Sequence, residues 1–403
     1  ISNWAAMSLV TSGGNSYNGS SGFKIGADAA DLIWEKANQV NVGINAELFN
    51  GRLALSVDGY YQKTSGLLYN ISTLATTGYT TRTANIGSLE NKGLEVMVSG
   101  KIFDGPFKWE LATNLSYTKN KLLSLDGVLD MKINGGGANT GKVMHALMVG
   151  KPVSAFYMLR QDGIYQTDQE VPSKLYAKGV RAGDCKYFDY NNDGDITDDD
   201  RMYVGKVTPD IYGGITSTMN WKNFDLSIFC QFAAGGKILS AWKGCGGTEG
   251  TEHLGLASSS IKGYKNGTLV DSEQFYNISK YAANHYWRGE GTSNTVPRPT
   301  LAGTFTGGFG NNLVSTRYLE DASYFKFKTI TLGYSLPHSL LSKIHVTGAR
   351  IFVSLDNFFT LTKYSGYDPE FSYESNPTGN SYGADFGEQA TLKSFIIGAS
   401  INF

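Results

Sequence analysis

Apolar and polar residues alternate with a period of two along several stretches of the chain. In the first stretch, the apolar positions are occupied by Val40, Val42, Ile44, Ala46 and Leu48. Asn50-Gly51 follows as a tight-turn signal, and a second alternating run extends from Leu53 to Tyr61. Because successive side chains of a strand point to opposite faces, the pattern predicts an antiparallel hairpin with one apolar and one polar face.

The same design recurs further along the chain. Residues 94–117 contain a turn at Asp104-Gly105-Pro106, and residues 211–232 contain a turn at Lys222-Asn223. Three later stretches also alternate, namely residues 329–336, 349–356 and 391–403. Charged residues on the polar faces would be costly in a packed core but not beside water. We therefore expect about ten to twelve strands around a water-filled lumen.

The stretch at residues 391–403 shows the two faces most clearly. One phase is mostly polar, with Ile396 as its apolar member. The other phase consists of Phe395, Ile397, Ala399, Ile401 and Phe403. We expect the first four of these to face lipid and Phe403 to lie at the membrane interface, where barrels concentrate aromatic residues. A soluble β-sandwich would give the same alternation, so this stretch alone leaves that fold open.

Composition favours a membrane barrel over a soluble domain. Charged residues make up 18% of the chain, below the roughly 25% of a typical soluble protein. Lysine plus arginine (35) balances aspartate plus glutamate (36), which argues against a nucleic-acid partner. No run approaches the ~20 apolar residues of a membrane-spanning helix. A membrane-spanning fold must therefore be a closed barrel, since this also satisfies every backbone group in lipid.

Long and short connections fall at opposite ends of the predicted strands. Two tracts, at about 235–317 and about 364–389, read as long loops. Soluble domains rarely hold loops of that length, whereas outer-membrane barrels combine long extracellular loops with short periplasmic turns. The sequence thus predicts an all-β fold, a transmembrane antiparallel β-barrel that is integral to a bacterial outer membrane and in contact with its lipid.

The best candidate for a ligand site is Asp189-Tyr-Asn-Asn-Asp-Gly-Asp-Ile-Thr-Asp-Asp-Asp200. It fits the twelve-residue EF-hand loop, which has oxygen ligands at positions 1, 3 and 5, glycine at 6 and an acid at 12. The register predicts calcium (Ca²⁺) bound by six residues. Asp189, Asn191 and Asp193 would give side-chain oxygens, Asp195 its backbone carbonyl, Thr197 a direct or water-mediated contact, and Asp200 the acid at position 12. An aspartate at position 12 lowers the expected affinity, because it is shorter than the usual glutamate. The alternative is a turn whose side chains bond their own backbone.

Other motifs with chemical meaning are absent from the sequence. The five histidines lack the spacing of a metal site or a catalytic triad. We find no nucleophile elbow, paired catalytic carboxylates or phosphate-binding glycine loop, so we do not expect an enzyme. Cys185 and Cys245 both lie in loop-like sequence, where a disulfide between them and two free thiols are both open possibilities.

Nine short segments carry a family resemblance, in the same order across nearly the whole chain. They are residues 32–36, 48–52, 58–63, 85–95, 149–153, 162–165, 318–324, 332–337 and 364–370, the last reading Tyr-Ser-Gly-Tyr-Asp-Pro-Glu. Together they resemble the SusC/RagA family of TonB-dependent outer-membrane transporters. Acidic loops similar to residues 189–200 are frequent in that family.

The resemblance implies that residues 1–403 form the C-terminal portion of a 22-stranded plugged barrel, whose plug and N-terminal extension are absent from this chain. It also implies TonB-dependent import of an oligosaccharide or peptide nutrient, with a SusD-like surface lipoprotein as partner. TonB would act through the missing N-terminal part. A remaining N-terminal segment of the same barrel would complete the wall.

Two other classes of function share parts of this pattern. A passive porin or adhesin barrel would have the same strands, and an upstream plug sequence would exclude it. A barrel hydrolase would need Ser, His and an acid converging at the rim of the barrel from distant loops.

Overall fold

A computed structural model describes residues 10–12, 23–25, 32–72, 81–125, 131–134, 143–245, 264–265, 268–269, 279–299, 310–341, 346–370, 382–387 and 391–402. Nine strands of this part form one antiparallel sheet, here called the wall. In chain order they are β1 (Lys36–Leu48), β2 (Leu53–Ser65), β3 (Ser88–Asp104), β4 (Phe107–Ser124), β5 (Ile211–Trp221), β6 (Phe224–Ala234), β7 (Tyr324–Ser335), β8 (Gly348–Thr362) and β9 (Ser394–Asn402).

Each wall strand pairs with the strands that precede and follow it in the wall, as in an up-and-down barrel. The predicted all-β antiparallel fold is confirmed. All three predicted hairpins are present, as β1–β2, β3–β4 and β5–β6. The described residues contribute nine strands to the wall, where the sequence suggested about ten to twelve.

Connections at the two ends of the wall differ in length, as predicted. In the β1–β2 turn, Phe49, Asn50 and Gly51 have φ values of 56°, 56° and 77°, the left-handed conformation that an Asn-Gly turn favours. Short links also join β3 to β4, β5 to β6 and β7 to β8. The opposite end carries four long connections, at residues 66–87, 125–210, 235–323 and 363–393.

The pairing register separates an apolar from a polar face of the wall. One row of directly opposed residues is apolar throughout: Phe103, Trp109, Met219, Leu226, Leu332, Val353 and Ile397. A second row is polar up to its last member: Lys101, Glu110, Thr218, Ser227, Thr331, Ser354 and Ile396. Adjacent residues of a strand point to opposite faces, so the rows mark a lipid side and a lumen side.

A bulge in β7 preserves this separation near the long connections. The register of β7 against β6 shifts between Phe327 and Thr329, leaving Lys328 as the extra residue. One extra residue reverses the alternation of a strand. Tyr324 and Lys326 therefore lie on the same side of the wall as Thr329, which faces the lumen.

Three of the long connections fold together into what we call the cap, the described parts of residues 125–210, 235–323 and 363–393. Its main core consists of Met144, Phe156, Met158, Leu239, Ala241, Cys245, Val314, Tyr318 and Ala384, all buried. These residues come from all three connections. The cap is therefore held together by ordinary burial of apolar side chains.

Outside the wall, the structure has short strands and three short helices among the described residues. Strands outside the wall are Val10–Ser12, Phe23–Ile25, Leu68–Ser72, Thr81–Asn85, Met131–Asn134, Val143–Leu147, Ala155–Met158, Gln161–Ile164, Cys185–Tyr187, Met202–Lys206, Lys237–Ser240, Tyr264–Lys265, Thr268–Leu269, Leu319–Asp321 and Ala384–Asp385. The helices are α1 (Ser173–Ala177), α2 (Lys280–His285) and α3 (His338–Leu341). Among the described residues, no helix has the length and apolar character needed to cross a membrane.

Candidate functional site

Charged side chains join the wall to the cap. The Nζ of Lys326 in β7 lies 2.9 Å from Asp368 and also contacts Glu370. Lys328 Nζ lies 2.8 Å from Glu370, and the Tyr324 hydroxyl donates to the same carboxylate at 2.8 Å. These five residues, here called the junction cluster, fix the beginning of the last long connection on the lumen side of the wall.

The charges of the junction cluster compensate one another, and two of its members are buried. Lys326 is 2% exposed and Asp368 is 7% exposed. Thr391, just before β9, donates its hydroxyl to Asp368, so the end of the connection is held as well. Burial opposes ionisation of Glu370, but hydrogen bonds from Lys326, Lys328 and Tyr324 outweigh it and lower the pKa of this carboxyl. Removing one partner from such a group would leave an uncompensated buried charge.

Glu320 holds two cap connections together. Its carboxylate accepts the Ser240 hydroxyl at 2.6 Å and the Ser365 hydroxyl at 2.7 Å, and it lies 2.8 Å from Lys243 Nζ. Burial opposes ionisation of Glu320, but these donors outweigh it and hold the pKa of Glu320 below its ordinary value. Ser240 and Lys243 are thereby kept in register with Ser365, which belongs to a different connection.

A chain of hydrogen bonds runs beside Glu320. The Trp242 indole N–H donates to the Tyr364 hydroxyl at 3.3 Å, and that hydroxyl donates to Asp385 at 2.5 Å. The other Asp385 oxygen accepts the Gly387 N–H at 2.8 Å. Burial, followed by the hydrogen bond to Asp385, raises the pKa of Tyr364. The plane of the indole ring and the orientation of the carboxylate are both fixed by these contacts.

A cavity of about 360 Å³ lies next to this chain of hydrogen bonds. It is lined by Trp242, Ser365, Gly366, Tyr367, Asp385 and Gly387. Tyr367 is 83% exposed, whereas Asp385 is 4% exposed. Small-molecule sites have volumes of roughly 300–1,000 Å³ and combine aromatic walls with a few placed polar groups. The cavity, here called the aromatic pocket, has this composition.

The predicted calcium loop is a compact turn. The Asp189 carboxylate accepts the N–H groups of Asp193 and Gly194 at 3.2 and 2.8 Å. Asn191 Oδ1 also accepts the Asp193 N–H, at 3.0 Å, and Asp193 Oδ1 accepts the Asp195 N–H at 2.7 Å. The structure therefore brings the first three predicted ligands together near one backbone amide.

The other predicted ligands are engaged with different partners. The predicted ligand atom of Asp195 is its backbone carbonyl, and its carboxylate pairs with Lys178 Nζ at 2.5 Å. Asp200 is fully buried, and its oxygens accept the N–H groups of Tyr190 and Thr197 at 2.9 and 2.7 Å. Thr197 and Asp200 thereby form a capping box, in which each end of a short helical turn satisfies the other.

The chemistry of the loop suits calcium, but the arrangement of its acidic side chains does not form a metal site. All six predicted ligands supply oxygen, the donor that calcium prefers. Among the described residues, however, no three His, Cys, Asp or Glu side chains converge in the manner of a metal site. The side-chain-to-backbone bonds are also those of the alternative Asp/Asn/Gly turn. Calcium binding at residues 189–200 stays a prediction.

No disulfide joins the cysteines. Cys185, Cys230 and Cys245 are all buried, and none is bonded to another. Cys185 lies 3.6 Å from the Asn311 carbonyl, whereas Cys245 belongs to the main cap core. Burial raises the pKa of Cys245 to about 12. Of the two possibilities for Cys185 and Cys245, the structure has the one without a disulfide between them.

Comparison with known proteins identifies the barrel. A family model described as TonB dependent receptor-like, beta-barrel matches residues 5–195. TonB-dependent receptor P3 of Formosa agariphila is 30% identical over 380 residues, covering 93% of this chain and 34% of that protein. TonB-dependent receptor SusC of Bacteroides thetaiotaomicron is 26% identical over 384 residues, covering 93% of this chain and 32% of SusC.

The chain is similar to the barrel region of SusC-type TonB-dependent receptors. The solved RagAB peptide transporter shares its fold, with a TM-score of 0.74 at 23% identity, covering 100% of this chain and 39% of that one. The chain spans about a third of the length of the curated relatives it matches. The predicted outer-membrane location is confirmed by these relatives. They are described as receptors, in agreement with the expectation that the chain is not an enzyme.

Sequence reasoning missed the junction cluster and the aromatic pocket. Both draw on residues that are far apart in the chain, such as Lys326 with Glu370 and Trp242 with Asp385. One signal was available. The segment 364–370 carries part of the family resemblance, and the structure places its serine, one of its two tyrosines and its two acids in these sites.

Proposed function

We propose that the chain forms part of a TonB-driven importer that carries a nutrient across the outer membrane. The two-faced wall is the observation that carries this proposal. One row of opposed residues is apolar, whereas its neighbour presents charged and hydroxyl side chains. A polar lumen offers a path for a hydrophilic solute. The description of the relatives as TonB-dependent receptors supports coupling to TonB.

We infer that the nutrient is an oligosaccharide or a peptide, delivered by a SusD-like surface lipoprotein that covers the cap. The shared fold with the RagAB peptide transporter supports a peptide as one of the two classes. Exposed cap aromatics, including Tyr281 at 51% exposure, provide the kind of surface that protein partners bury.

Further strands of the same barrel complete the wall in this proposal. Within the described residues, β1 and β9 each pair on one side only. Val40, Val42 and Ile44 of β1 are 63%, 69% and 66% exposed. Because unpaired backbone groups are costly in lipid, both edges need a partner strand. The plug and the segment that meets TonB are assigned to parts of the relatives that lie outside the matched region.

We also propose that calcium binds residues 189–200 as a structural brace. Support comes from the oxygen-donor register and from the convergence of Asp189, Asn191 and Asp193 near one amide. No long helices flank the loop among the described residues. The ion would therefore stiffen the cap rather than operate a switch.

Growth and uptake measurements test the proposed import. Deleting the transporter gene in the source bacterium should abolish growth on one class of oligosaccharide or peptide as sole nutrient. Deleting TonB should have the same effect, because the plug would stay closed. Uptake that persists at the normal rate without TonB would contradict the proposal and support a passive pore.

A further inference from the structure

The aromatic pocket is built from three cap segments that the structure joins firmly. Trp242 comes from the connection at residues 235–323, and residues 365–367 and 385–387 come from the last long connection. Ser240 pairs with Asp385 in a short parallel ladder, which aligns two of the segments. The pocket is therefore a property of the folded cap rather than of one loop.

Several contacts fix the lining side chains before any ligand arrives. Glu320 ties Ser365 to Lys243, and Tyr364 orients both Trp242 and Asp385. The junction cluster then anchors the residues that directly follow Tyr367 to the wall. A site whose side chains are already held loses less entropy on binding, which favours specific recognition.

Glycine is required on one side of the pocket. A Cβ atom at Gly366 would lie 2.5 Å from the ring of Tyr364, so a side chain there would displace the tyrosine that orients the pocket. Gly387 has a φ of 93°, which L side chains rarely adopt. The pocket thus presents bare backbone at two of its lining positions, Gly366 and Gly387.

The lysine beside the pocket is already ion-paired. Lys243 Nζ lies 5.4 Å from the centre of the Trp242 ring and 2.8 Å from the Glu320 carboxylate. The cation position beside the aromatic ring is therefore filled by the chain's own lysine, which leaves the ring face for an apolar surface. Asp385 is acceptor-only when ionised, and it suits the hydroxyl groups of a neutral ligand, which would donate to it.

We propose that the aromatic pocket binds one sugar ring of an oligosaccharide, with its apolar C–H face on Trp242 and Tyr367 and a hydroxyl group donating to Asp385. This proposal rests on the proposed import function. Of the two nutrient classes, oligosaccharide and peptide, it selects the oligosaccharide. Trp242, Tyr367 and Asp385 touch the ligand. Tyr364 and Glu320 act as positioning residues, since they orient those three.

Uptake by the full transporter with its lipoprotein partner, in the source bacterium, tests the proposal. The nutrient is first found by growing the wild type and the gene-deletion strain on single purified oligosaccharides and on defined peptides. Tyr367→Ala and Trp242→Phe are then measured for uptake of that nutrient. Tyr367 is so exposed that its replacement cannot disturb packing. Tyr176→Ala is the matched control, because Tyr176 is an exposed cap aromatic outside the pocket at 40% exposure.

The expected nutrient is an oligosaccharide. Tyr367→Ala should raise the half-saturation concentration about tenfold with little change in maximal rate, since about 1.4 kcal/mol of binding is lost. Trp242→Phe should fall between Tyr367→Ala and the wild type, and Tyr176→Ala should match the wild type. Capture of the lipoprotein partner should be equal for all variants.

Three outcomes would overturn the assignment, and they are distinguishable. A peptide as the required nutrient leaves the import function intact but rejects a sugar site. An oligosaccharide taken up with unchanged half-saturation by Tyr367→Ala and Trp242→Phe rejects this pocket. Unchanged growth of the deletion strain on every nutrient removes the import function itself, and the pocket assignment with it.

Discussion

The wall and the cap bury their apolar residues in opposite ways. In the wall, large apolar side chains are open to the surroundings, with Val42 at 69%, Leu361 at 64% and Ile397 at 67% exposure. In the cap, Phe156 and Tyr318 are fully buried. The wall therefore relies on lipid to cover its apolar face, whereas the cap carries its own core. One chain therefore combines a membrane-type arrangement of apolar residues in the wall with a soluble-type core in the cap.

The difference extends to polar groups. Polar side chains of the wall can face a water-filled lumen, so lysine and glutamate stand opposite each other there at little cost. Acidic side chains buried inside the cap are shielded from water. They are compensated by individual partners, as Asp184 is by a bidentate contact with Arg298 at 2.9 and 3.0 Å. The junction cluster lies at the boundary, because it pairs lysines of the wall with acids of the cap.

Emptying the cap core should have the largest effect. Phe156 is fully buried in the main cap core and stacks on His145 with ring centres 4.8 Å apart. Phe156→Ala should destabilise the cap by about 3–5 kcal/mol, because it removes buried area and leaves a cavity. Hydrogen exchange, followed separately for cap and wall peptides, measures this.

The comparison predicts that the loss is local. Amides of the cap strands should exchange faster in Phe156→Ala, while amides of β5 and β6 should keep their wild-type protection. Equal loss of protection in wall and cap would mean that the two regions unfold as one unit, which contradicts separate cores.

Charge on the lipid face should have the next largest effect. Ile397 and Ile396 are neighbours in β9 but belong to the apolar and the polar row, respectively. Ile397→Lys should impair assembly by about 2–4 kcal/mol, the cost of lysine near the bilayer midplane. Ile396→Lys, its matched control, should assemble nearly as well as the wild type. Folded barrel yield in vesicles measures both, and equal tolerance would reject the assignment of faces.

The wall could be predicted from the sequence because its determinants are local. In a strand with one apolar and one polar face, apolar residues occupy every second position, as they do from Val40 to Leu48. This alternation can be recognised within a single short stretch of sequence. Turn signals such as Asn50-Gly51 then fix the register. Alternation thus predicted the hairpins and the side on which Ile397 lies.

The cap could not be predicted in this way because its order is non-local. Its core joins Met144 to Val314 and Ala384, residues with no periodic relation in the chain. Its strands are short, such as Ala155–Met158, and give too few positions for a period to show. In residues 125–210 the sequence therefore showed the calcium-loop motif and segments of the family resemblance but predicted no strands, although about half of the described cap lies there.

Calcium should have a smaller effect, confined to the cap. If residues 189–200 bind it, calcium at a hundredfold excess over Kd should stabilise the cap by about 2.7 kcal/mol. Asp193→Ala should remove most of this, because Asp193 is one of the three converging side chains. Calorimetry after chelation checks the binding. No heat and no change in Tm on adding calcium would leave the loop as a self-bonded turn.

Acid should loosen the junction by the smallest amount. The pKa of Glu370 lies below its ordinary value of 4.5, so its contribution is complete above that pH and is lost as the pH falls through the lower folded value. Exchange of amides next to residue 370 should rise in that range. Glu370→Gln should abolish the dependence, and an unchanged acid response in that variant would assign it to other groups.

The central claim is that the two faces of the wall meet lipid and water, and the side chains of β9 test it directly. The native cysteines are buried, so Ile397→Cys and Ile396→Cys can each be labelled with an environment-sensitive fluorophore. In vesicles containing brominated lipid, the label at position 397 should be strongly quenched, and the label at 396 should respond to an aqueous quencher instead. Equal quenching by lipid at both positions would contradict the two-faced wall.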